Sequence, residues 1–204
     1  MNQQLLFKVT TYDIEQCSVF CKVKQEFGGF SNMSHDFQVN INGVLMKNTE
    51  ALYQACRYPD LIAVQQAIIT QHSGMGSKMK SKRYAAQTRA DWLDVRVAVM
   101  EWCIRIKLAQ NFERFGALLE SAGDKPIVEL SRRDSFWGAK LTSTGTLVGQ
   151  NVLGKLLSAI RDEYVSATPE AREAMRYVEP PKIDNFLLLG QPIDAIGYYL
   201  ARAA

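Results

Sequence analysis

The stretch DSFWGAKLTSTGTLVGQNVLGKLL, residues 134–157, carries the signals that decide how the second half of the chain folds. It follows a strand-like run, KPIVEL (125–130), and places an aspartate and a tryptophan before a segment rich in glycine and small hydroxyl residues. Asn151 then stands where a helix cap is expected, and the apolar residues after it recur at helical spacing. The pattern predicts a strand, an irregular loop and an amphipathic helix, in that order.

The chain before this stretch reads as short strands followed by helices. Strand-like runs fill its first quarter: LLFKV, SVFCKVK, FQVNI and VLMK, the last two separated by the hairpin signal Asn42-Gly43. Apolar periodicity then predicts helices over NTEALYQACRY, over LIAVQQAIITQH up to Gly74, over about residues 88–111, and over FERFGALLESAG. Thr88 and Asp91 resemble a capping box at the start of the longest helix. The sequence therefore predicts an α+β fold, a helix-dominated single domain with a small antiparallel sheet.

Size and composition are those of an ordinary globular protein. The 204 residues fit one domain, which we predict over residues 1–164, with residues 165–204 as an appendage packed on that domain. Thr168-Pro169-Glu170 predicts a new helix in the appendage. The sequence has no apolar run of roughly 18 residues and no signal-peptide pattern at its N-terminus. We therefore expect a cytoplasmic protein that does not associate with membranes.

The sequence lacks the common metal and cofactor signatures. Its four cysteines form no CxxC pair, and its two histidines form no HExxH motif or Cys/His group. It also lacks the glycine patterns of dinucleotide-binding and NTP-binding loops. We expect a mechanism without a metal ion and without a cofactor.

Glu50 begins a stripe of polar residues along one predicted helix. Tyr53, Gln54 and Arg57 follow it at helical spacing, so that an acid, a phenol, an amide and a guanidinium share one face. Such a stripe can hold a polar ligand, and the helix N-terminus favours an ionised Glu50. The alternative is purely structural, because glutamate is common in the first turn of helices for electrostatic reasons alone.

The loop after KPIVEL is a second candidate for a binding site. Asp134 and Trp137 lie in it, and Gly138 with the later glycines allows close backbone approach. Asn151 as the cap of the next helix would leave amide groups free to cradle a phosphate. The structural alternative is that Asp134 caps a turn, Trp137 fills the core and the glycines only make the loop tight.

Positive charge is concentrated in one segment. Five cations lie there without an acid before Asp91: Lys78, Lys80, Lys82, Arg83 and Arg89. Trp92 follows, either as a stacking platform or, because it lies on the apolar stripe of its helix, as a core residue. A solvated helix face would show the same run of cations. Together with the carboxylates, these features indicate a ligand with a flat ring, a sugar and phosphate, which describes a nucleotide.

Five motifs occur in an order that resembles a known family. They are FGGFSNMS (27–34), TEALYQA (49–55), TRADW (88–92), LSRRDSFWG (130–138) and GTLVGQNVLGKLLSAIR (145–161). This order is similar to that of the NADAR superfamily, the YbiA-like N-glycosidases, over roughly residues 20–164. The resemblance implies a YbiA-like fold, helix-dominated with a small sheet, and metal-free hydrolysis of an N-glycosidic bond.

The resemblance also implies roles for single residues. The family's glutamate falls on Glu50 and its aspartate on Asp134, which we expect to be the catalytic pair, with their individual roles open. The resemblance further implies substrate binding by Ser31, Asn32, Trp92 and Trp137. From the residue patterns above, we expect the same of Tyr53, Gln54, Arg57, Lys78, Gly138 and Asn151. The chain departs from many relatives in carrying Ala51 for a histidine, Arg57 for a lysine and Gln150 for a lysine. These departures bear on the substrate more than on the reaction.

Three functions are compatible with this resemblance. The first is hydrolysis of the bond between ADP-ribose and guanine, in nucleic acid or in nucleotides, which would reverse the action of an ADP-ribosyltransferase toxin. The second is hydrolysis of phosphorylated intermediates of riboflavin biosynthesis. The third is a non-catalytic ADP-ribose or nucleotide sensor. We favour the first function because the basic segment suits a pyrophosphate or a nucleic acid. In addition, the extra C-terminal segment departs from a minimal housekeeping domain.

Overall fold

The structure, a computed structural model, describes residues 3–197. Its α-helices within that range are α1 (Gln3–Phe7), α2 (Thr49–Ala55), α3 (Ile62–Ile69), α4 (Gly74–Lys82), α5 (Trp92–Gln110), α6 (Phe112–Ser121), α7 (Val152–Ser166) and α8 (Pro169–Ala174). Its strands are β1 (Thr10–Asp13), β2 (Ser18–Phe20), β3 (Val39–Ile41), β4 (Val44–Met46), β5 (Ile127–Glu129), β6 (Lys140–Leu141), β7 (Thr146–Gly149), β8 (Leu187–Leu188) and β9 (Gln191–Pro192). The predicted helix-dominated α+β fold is confirmed.

The described residues divide into two compact units. Unit 1 contains residues 3–31 and 113–167, and unit 2 contains residues 32–112 and 168–197. The C-terminal segment after residue 167 thus groups with the middle of the chain. The predicted extent of one domain over residues 1–164 stays a prediction.

Unit 1 is built on short strands packed against α7. β7 lies between β1 and β6 in an antiparallel sheet, with Thr10 opposite Gly149, while β2 pairs in parallel with β5. A small core of Tyr12, Val128 and Leu147 lies among these strands. The amphipathic helix predicted after Asn151 is confirmed as α7, which packs against β5.

Unit 2 is centred on α2. All seven residues of α2 are buried, and the helix packs against α3, α4 and α5. The predicted hairpin is confirmed as β3 and β4, with Asn42 and Gly43 at φ values of 50° and 81°. Both residues of the turn therefore adopt the left-handed conformation that such hairpins require.

The C-terminal segment is held to the rest of unit 2 by side-chain bonds to its backbone. Gln65 donates from Nε2 to the carbonyl of Leu187 at 2.9 Å and accepts at Oε1 from the amide of Leu189 at 2.6 Å. Asn42 donates to the carbonyl of Pro192 at 2.7 Å. The predicted helix start at Thr168 is also confirmed, since its hydroxyl caps α8 by accepting from the amide of Ala171.

Three local predictions were wrong. LLFKV was predicted as a strand, but residues up to Phe7 form the short helix α1. The second predicted helix ends at Ile69, and Gly74 begins α4, because Ser73 caps the new helix by accepting from the amide of Gly76. The strands form four small sheets within residues 3–197, one of them parallel, rather than one antiparallel sheet.

The capping box predicted for the longest helix was also wrong. α5 begins at Trp92, after a 3-10 turn at residues 85–87, and Asp91 precedes it without a side-chain cap. Asp91 instead accepts two bonds from Arg89, at 2.6 and 2.9 Å. Thr88 accepts from Arg57. Among the described residues, no helix has the length and apolar content needed to cross a membrane.

Candidate active site

Glu50 lies in the first turn of α2 and is almost completely buried. Asn48 caps the helix by accepting from the amide of Ala51 at 3.0 Å, and the amide of Glu50 donates to the carbonyl of Asn32 at 2.8 Å. Glu50 is only 7% exposed. Because burying a charged group without partners is costly, a buried carboxylate here points to a specific role.

The polar stripe predicted along this helix forms a chain of hydrogen bonds. Gln54 donates from Nε2 to Oε1 of Glu50 at 2.8 Å, and Arg57 donates from Nη1 to Oε1 of Gln54 at 3.2 Å. Arg57 also donates from Nη2 to the hydroxyl of Thr88 at 3.1 Å. These hydrogen bonds fix the orientation of the Gln54 amide. They also connect Glu50 to the guanidinium of Arg57 through Gln54.

Aromatic rings line the same part of unit 2. The ring centroids of Tyr53 and Trp92 are 5.1 Å apart, and the guanidinium of Arg57 lies 5.3 Å from the Trp92 ring. Tyr53 and Trp92 are both buried. The structure thus confirms that Glu50, Tyr53, Gln54 and Arg57 share one face of α2. It adds the ring of Trp92, which lies beside Tyr53 and Arg57.

The protonation of Glu50 is set by opposing effects. Burial raises the pKa of its carboxyl, while the positive charge of Lys78, the hydrogen bond from Gln54 and the charge of Arg57 lower it. We expected the helix N-terminus to keep Glu50 ionised, but burial is the largest effect and it favours the protonated acid. Burial also raises the pKa of Tyr53 well above its ordinary value, so this phenol stays neutral.

Several buried polar atoms around Glu50 have no hydrogen-bond partner among the described residues. They are Asn32 Oδ1, Asn48 Nδ2, Thr49 Oγ1 and Arg57 Nε. The amide nitrogen of Asn32 has a weak acceptor, Met100 Sδ, at 3.0 Å. Asn32 is 4% exposed, and Asn48 and Thr49 are inaccessible to solvent. Buried polar atoms without partners are rare in folded proteins, and they mark the surroundings of Glu50 as a candidate site.

Sequence reasoning missed Asn48, Thr49 and Thr88 as parts of this site. Asn48 and Thr49 were recognised only as the first residues of a predicted helix, and Thr88 only as part of a capping box. The pattern that could have revealed Asn48 and Thr49 is their position beside Glu50 in the first turn. The contact of Thr88 with Arg57 spans 31 positions of sequence, so no local pattern indicates it.

Lys78 is the member of the basic segment that bears on Glu50. It lies on α4 and is half-buried, and its charge lowers the pKa of Glu50. Arg89, by contrast, holds the fold together, because it pairs with Asp91 and donates to the carbonyls of Asp184 and Asn185. The basic segment therefore contains cations with different roles.

In unit 1, Asp134 organises the turn that follows it. Its Oδ1 accepts from the amides of Phe136 and Trp137, both at 2.9 Å, and its own amide donates to the hydroxyl of Ser131. Trp137 is half-buried and meets the ring of Phe136 edge-on at 4.9 Å. The turn-capping alternative for Asp134 is thus observed, while its catalytic role stays a prediction. Ser31 is a buried member of unit 1, and its role in binding also stays a prediction.

The predicted phosphate cradle at the start of α7 was wrong. The amides of residues 150–153 donate to carbonyls of the preceding loop, those of Ser135, Phe136, Trp137 and Gly138, over 2.7–3.1 Å. These amides therefore hold the loop against the helix and are not available to an anion.

Asn151 and Gly138 contribute to this packing, while the substrate binding predicted for them stays a prediction. Asn151 stands at the cap position with φ 50°, but its side chain makes no cap bond. Its Oδ1 accepts from the amide of Glu129 at 3.0 Å, and its Nδ2 donates to the carbonyl of Ile127 at 2.9 Å. A Cβ on Gly138 would lie 2.5 Å from the carbonyl oxygen of Glu129, so glycine is required there for close approach of two backbones.

Comparison with known sequences decides the family. Residues 19–164 match the sequence model of the NADAR domain. The chain belongs to the NADAR family. The resemblance predicted from five motifs, over roughly residues 20–164, is thereby confirmed. Among the described residues of this NADAR protein, no group of three or more His, Cys, Asp or Glu side chains could hold a metal ion.

Relatives of this NADAR chain carry two kinds of name. A Nostoc punctiforme protein named an N-glycosidase is 31% identical over 149 residues, which are 71% of this chain and 90% of the relative. A Vibrio vulnificus protein named a riboflavin biosynthesis protein is 28% identical over 169 residues, 83% of this chain. The chain spans only 44% of that protein and 28% of a maize riboflavin biosynthesis protein that it also matches.

A solved structure shares the fold. The NMR structure of YbiA from E. coli matches with a TM-score of 0.60 over 75% of this chain and 90% of YbiA, at 24% sequence identity. The YbiA-like fold predicted from the sequence is therefore confirmed.

Proposed function

We propose that this NADAR chain is an N-glycosidase that hydrolyses the bond between ADP-ribose and guanine. The observation that carries the proposal is the buried Glu50, bonded to Gln54 and surrounded by buried polar atoms that lack partners among the described residues. Relatives named N-glycosidase support the reaction type. The basic character of α4, next to Glu50, supports a substrate that carries phosphate.

The reaction breaks one bond and needs one carboxylate near the sugar. The bond between the ribose carbon and the base nitrogen breaks, the nitrogen leaves with a proton, and the carbon takes a hydroxyl from water. Positive charge develops on the ribose in the transition state, so a nearby anion accelerates the step. In the proposal, ionised Glu50 either stabilises this charge or removes a proton from the attacking water.

The remaining residues hold the substrate in this proposal. Trp92 provides an apolar wall, and Arg57 and Lys78 bind phosphate. For Asp134 and Trp137 we retain the roles that the family resemblance implies, orientation of the sugar or proton transfer for the acid and stacking for the ring. An ADP-ribosyltransferase toxin that modifies guanine is the proposed functional partner.

A second candidate is hydrolysis of phosphorylated riboflavin intermediates. It is favoured by the relatives from Vibrio vulnificus and maize that are named riboflavin biosynthesis proteins. This candidate predicts cleavage of a small sugar monophosphate and no action on ADP-ribosylated guanine. Both candidates break an N-glycosidic bond, so they differ in substrate rather than in chemistry.

The test is hydrolysis by the purified protein without added metal. The protein is incubated with an oligonucleotide that carries ADP-ribosylated guanine, and separately with phosphorylated riboflavin intermediates, while released products are followed by chromatography. Wild type and Glu101→Gln, a control that removes a partly exposed carboxylate of α5, should release ADP-ribose, and Glu50→Gln should not. Release from the riboflavin intermediates alone would replace the proposal with the second candidate, and tight binding without release would indicate a sensor.

A further inference from the structure

The helix α4 has an inverted distribution of apolar and polar residues. Its buried residues are Gly74, Ser77 and Ser81, and the hydroxyl of Ser77 donates to the carbonyl of Ile68 at 3.1 Å. Its large apolar side chains point outward instead, since Met75 and Met79 are 55% and 53% exposed. Small residues allow α4 to pack closely in unit 2, but they do not explain why two methionines face the solvent. Exposed apolar side chains in a defined arrangement indicate a partner.

Cations border these methionines on both sides. We call the set Met75, Lys78, Met79, Lys80, Lys82 and Arg83 the α4 face. An α-helix completes a turn in about 3.6 residues, so Met75 and Met79 lie one above the other. By the same spacing, Lys78 and Lys82 lie along one edge of the methionine pair and Lys80 and Arg83 along the other. The α4 face is therefore an apolar strip between two rows of positive charge.

No acidic side chain neutralises this face from within its own segment. The sequence contains no aspartate or glutamate between Asp60 and Asp91. Within residues 3–197, Lys80, Lys82 and Arg83 make no side-chain ion pair or hydrogen bond, in contrast to Arg89. The side chains of these three cations are therefore available to an external polyanion.

The α4 face is continuous with the candidate active site through Lys78. This residue stands on the edge shared with Lys82, and α4 packs against α2, the helix that carries Glu50. A molecule bound along the face would therefore reach the neighbourhood of Glu50 within unit 2.

We infer that the α4 face binds the sugar-phosphate backbone of a nucleic acid strand next to the modified nucleotide. Phosphates would contact the two rows of cations, and the methionines would pack against the sugars and bases between them. The inference rests on the proposed function for the modified guanine, and it makes a polynucleotide rather than a free nucleotide the preferred substrate. An anionic membrane fits less well, because two methionines on a nine-residue helix bury too little apolar surface to anchor a protein.

The first test is binding of an unmodified single-stranded oligonucleotide, measured by fluorescence anisotropy over a range of salt concentrations. The variant Lys80→Gln/Lys82→Gln/Arg83→Gln should bind roughly tenfold more weakly or worse, with a salt slope smaller by about two. The control Lys22→Gln/Lys24→Gln/Lys182→Gln removes the same net charge from exposed positions elsewhere and should bind like wild type. An α4 variant with the affinity and salt slope of wild type would overturn the inference.

The methionines are tested separately. Met75→Gln/Met79→Gln should weaken oligonucleotide binding by a few-fold without changing the salt slope, because no phosphate contact is lost. Wild-type protein that binds vesicles of phosphatidylserine and phosphatidylcholine but not the oligonucleotide would show a membrane surface and overturn the inference.

The second test separates this inference from the proposed function. With ADP-ribosylated guanine in an oligonucleotide and as a mononucleotide, the triple α4 variant should lose about tenfold more kcat/KM on the oligonucleotide than on the mononucleotide. If wild type hydrolyses neither substrate, the proposed function fails, yet the anisotropy measurements still decide whether the α4 face binds nucleic acid. Equal losses on both substrates would show that the face does not recognise the strand.

Discussion

Two polar regions of this NADAR protein were predicted to bind a ligand, and the structure treats them differently. Along α2, Glu50 and Arg57 are buried or half-buried, and neighbouring polar atoms of Asn32, Asn48 and Thr49 lack partners among the described residues. In the segment of residues 134–153, which includes β6 and β7, the side chain of Asn151 and the amides of residues 150–153 are bonded within unit 1. The first region contains donors and acceptors without partners, and in the second region the donors and acceptors are bonded to one another.

The difference offers a testable criterion for telling a functional polar residue from a structural one. Both regions contain residue types that suit nucleotide binding, and composition alone does not separate them. What separates them is whether the polar atoms already have partners, because folding leaves buried donors and acceptors unsatisfied only where something else stabilises that arrangement. Substitutions in the two regions test this distinction.

Glu50→Gln should cause the largest loss of activity. The substitution preserves the acceptor for Gln54 but removes the carboxylate, so kcat/KM should fall by roughly 10²–10⁴-fold on the substrate that wild type cleaves. Steady-state kinetics measures the loss. An active Glu50→Gln variant would remove the main distinction between the two regions.

The stability of Glu50→Gln provides the control for this experiment. Burial raises the pKa of Glu50 in the folded protein above its value in the unfolded chain. The free energy of unfolding of the wild type therefore falls as the pH rises from the pKa of Glu50 in the unfolded chain to its pKa in the folded protein. The variant has no such group and should be at least as stable as wild type at pH 7, by urea denaturation. A less stable variant would mean that the activity loss has a structural component.

Asn151→Ala should destabilise the protein without a specific effect on catalysis. It removes the bonds to Glu129 and Ile127 and places alanine at φ 50°, which together cost about 3 kcal/mol or more of the free energy of unfolding. Urea denaturation measures the loss. Asn151→Gly tolerates the same φ and should recover about 1 kcal/mol. If folded Asn151→Ala lost substrate affinity while keeping its stability, Asn151 would belong to the binding site after all.

Asp134→Ala and Asp134→Asn distinguish turn capping from catalysis. Alanine removes the acceptor for the amides of Phe136 and Trp137 and should cost about 1–2 kcal/mol of stability. Asparagine keeps that acceptor, so its stability should lie close to that of wild type. Kinetics of Asp134→Asn then reports on the charge alone: wild-type kcat/KM would make Asp134 purely structural, and a large loss at normal stability would give it a chemical role.

Lys78→Met should change the pH dependence of activity by the smallest amount. The charge of Lys78 lowers the pKa of Glu50, so its removal raises that pKa and moves the acidic limb of the profile of kcat/KM against pH to higher pH, by less than about one pH unit. Lys182→Met, at an exposed position, is the control and should leave the profile unchanged. An unmoved limb in Lys78→Met would show that Glu50 is not the group that titrates.

Local sequence patterns predicted most of the elements because their signals are local. Asn42-Gly43 specified the hairpin, Asn48 the start of α2, and Thr168 the start of α8, each through the conformation or capping bond that the residue favours. The run LLFKV failed, because a short apolar run suits a helix or a strand equally well. The pairing of β2 with β5 was also beyond prediction, since it joins strands about a hundred residues apart.

The helix-dominated fold, the NADAR family and the stripe from Glu50 to Arg57 can all be predicted from the sequence alone. The stripe is predictable because residues three and four apart on a helix share a face whatever surrounds them. Which polar groups remain available, however, depends on contacts between distant parts of the chain. The amides of residues 150–153 bind the carbonyls of Ser135 to Gly138, and Arg89 binds Asp91 and the C-terminal segment. The side chains of Lys80, Lys82 and Arg83, by contrast, have no hydrogen-bond or ion-pair partner within residues 3–197. The availability of a donor is hard to predict from sequence because the donor bonds to whatever acceptor folding brings near it, and that acceptor is often distant in sequence.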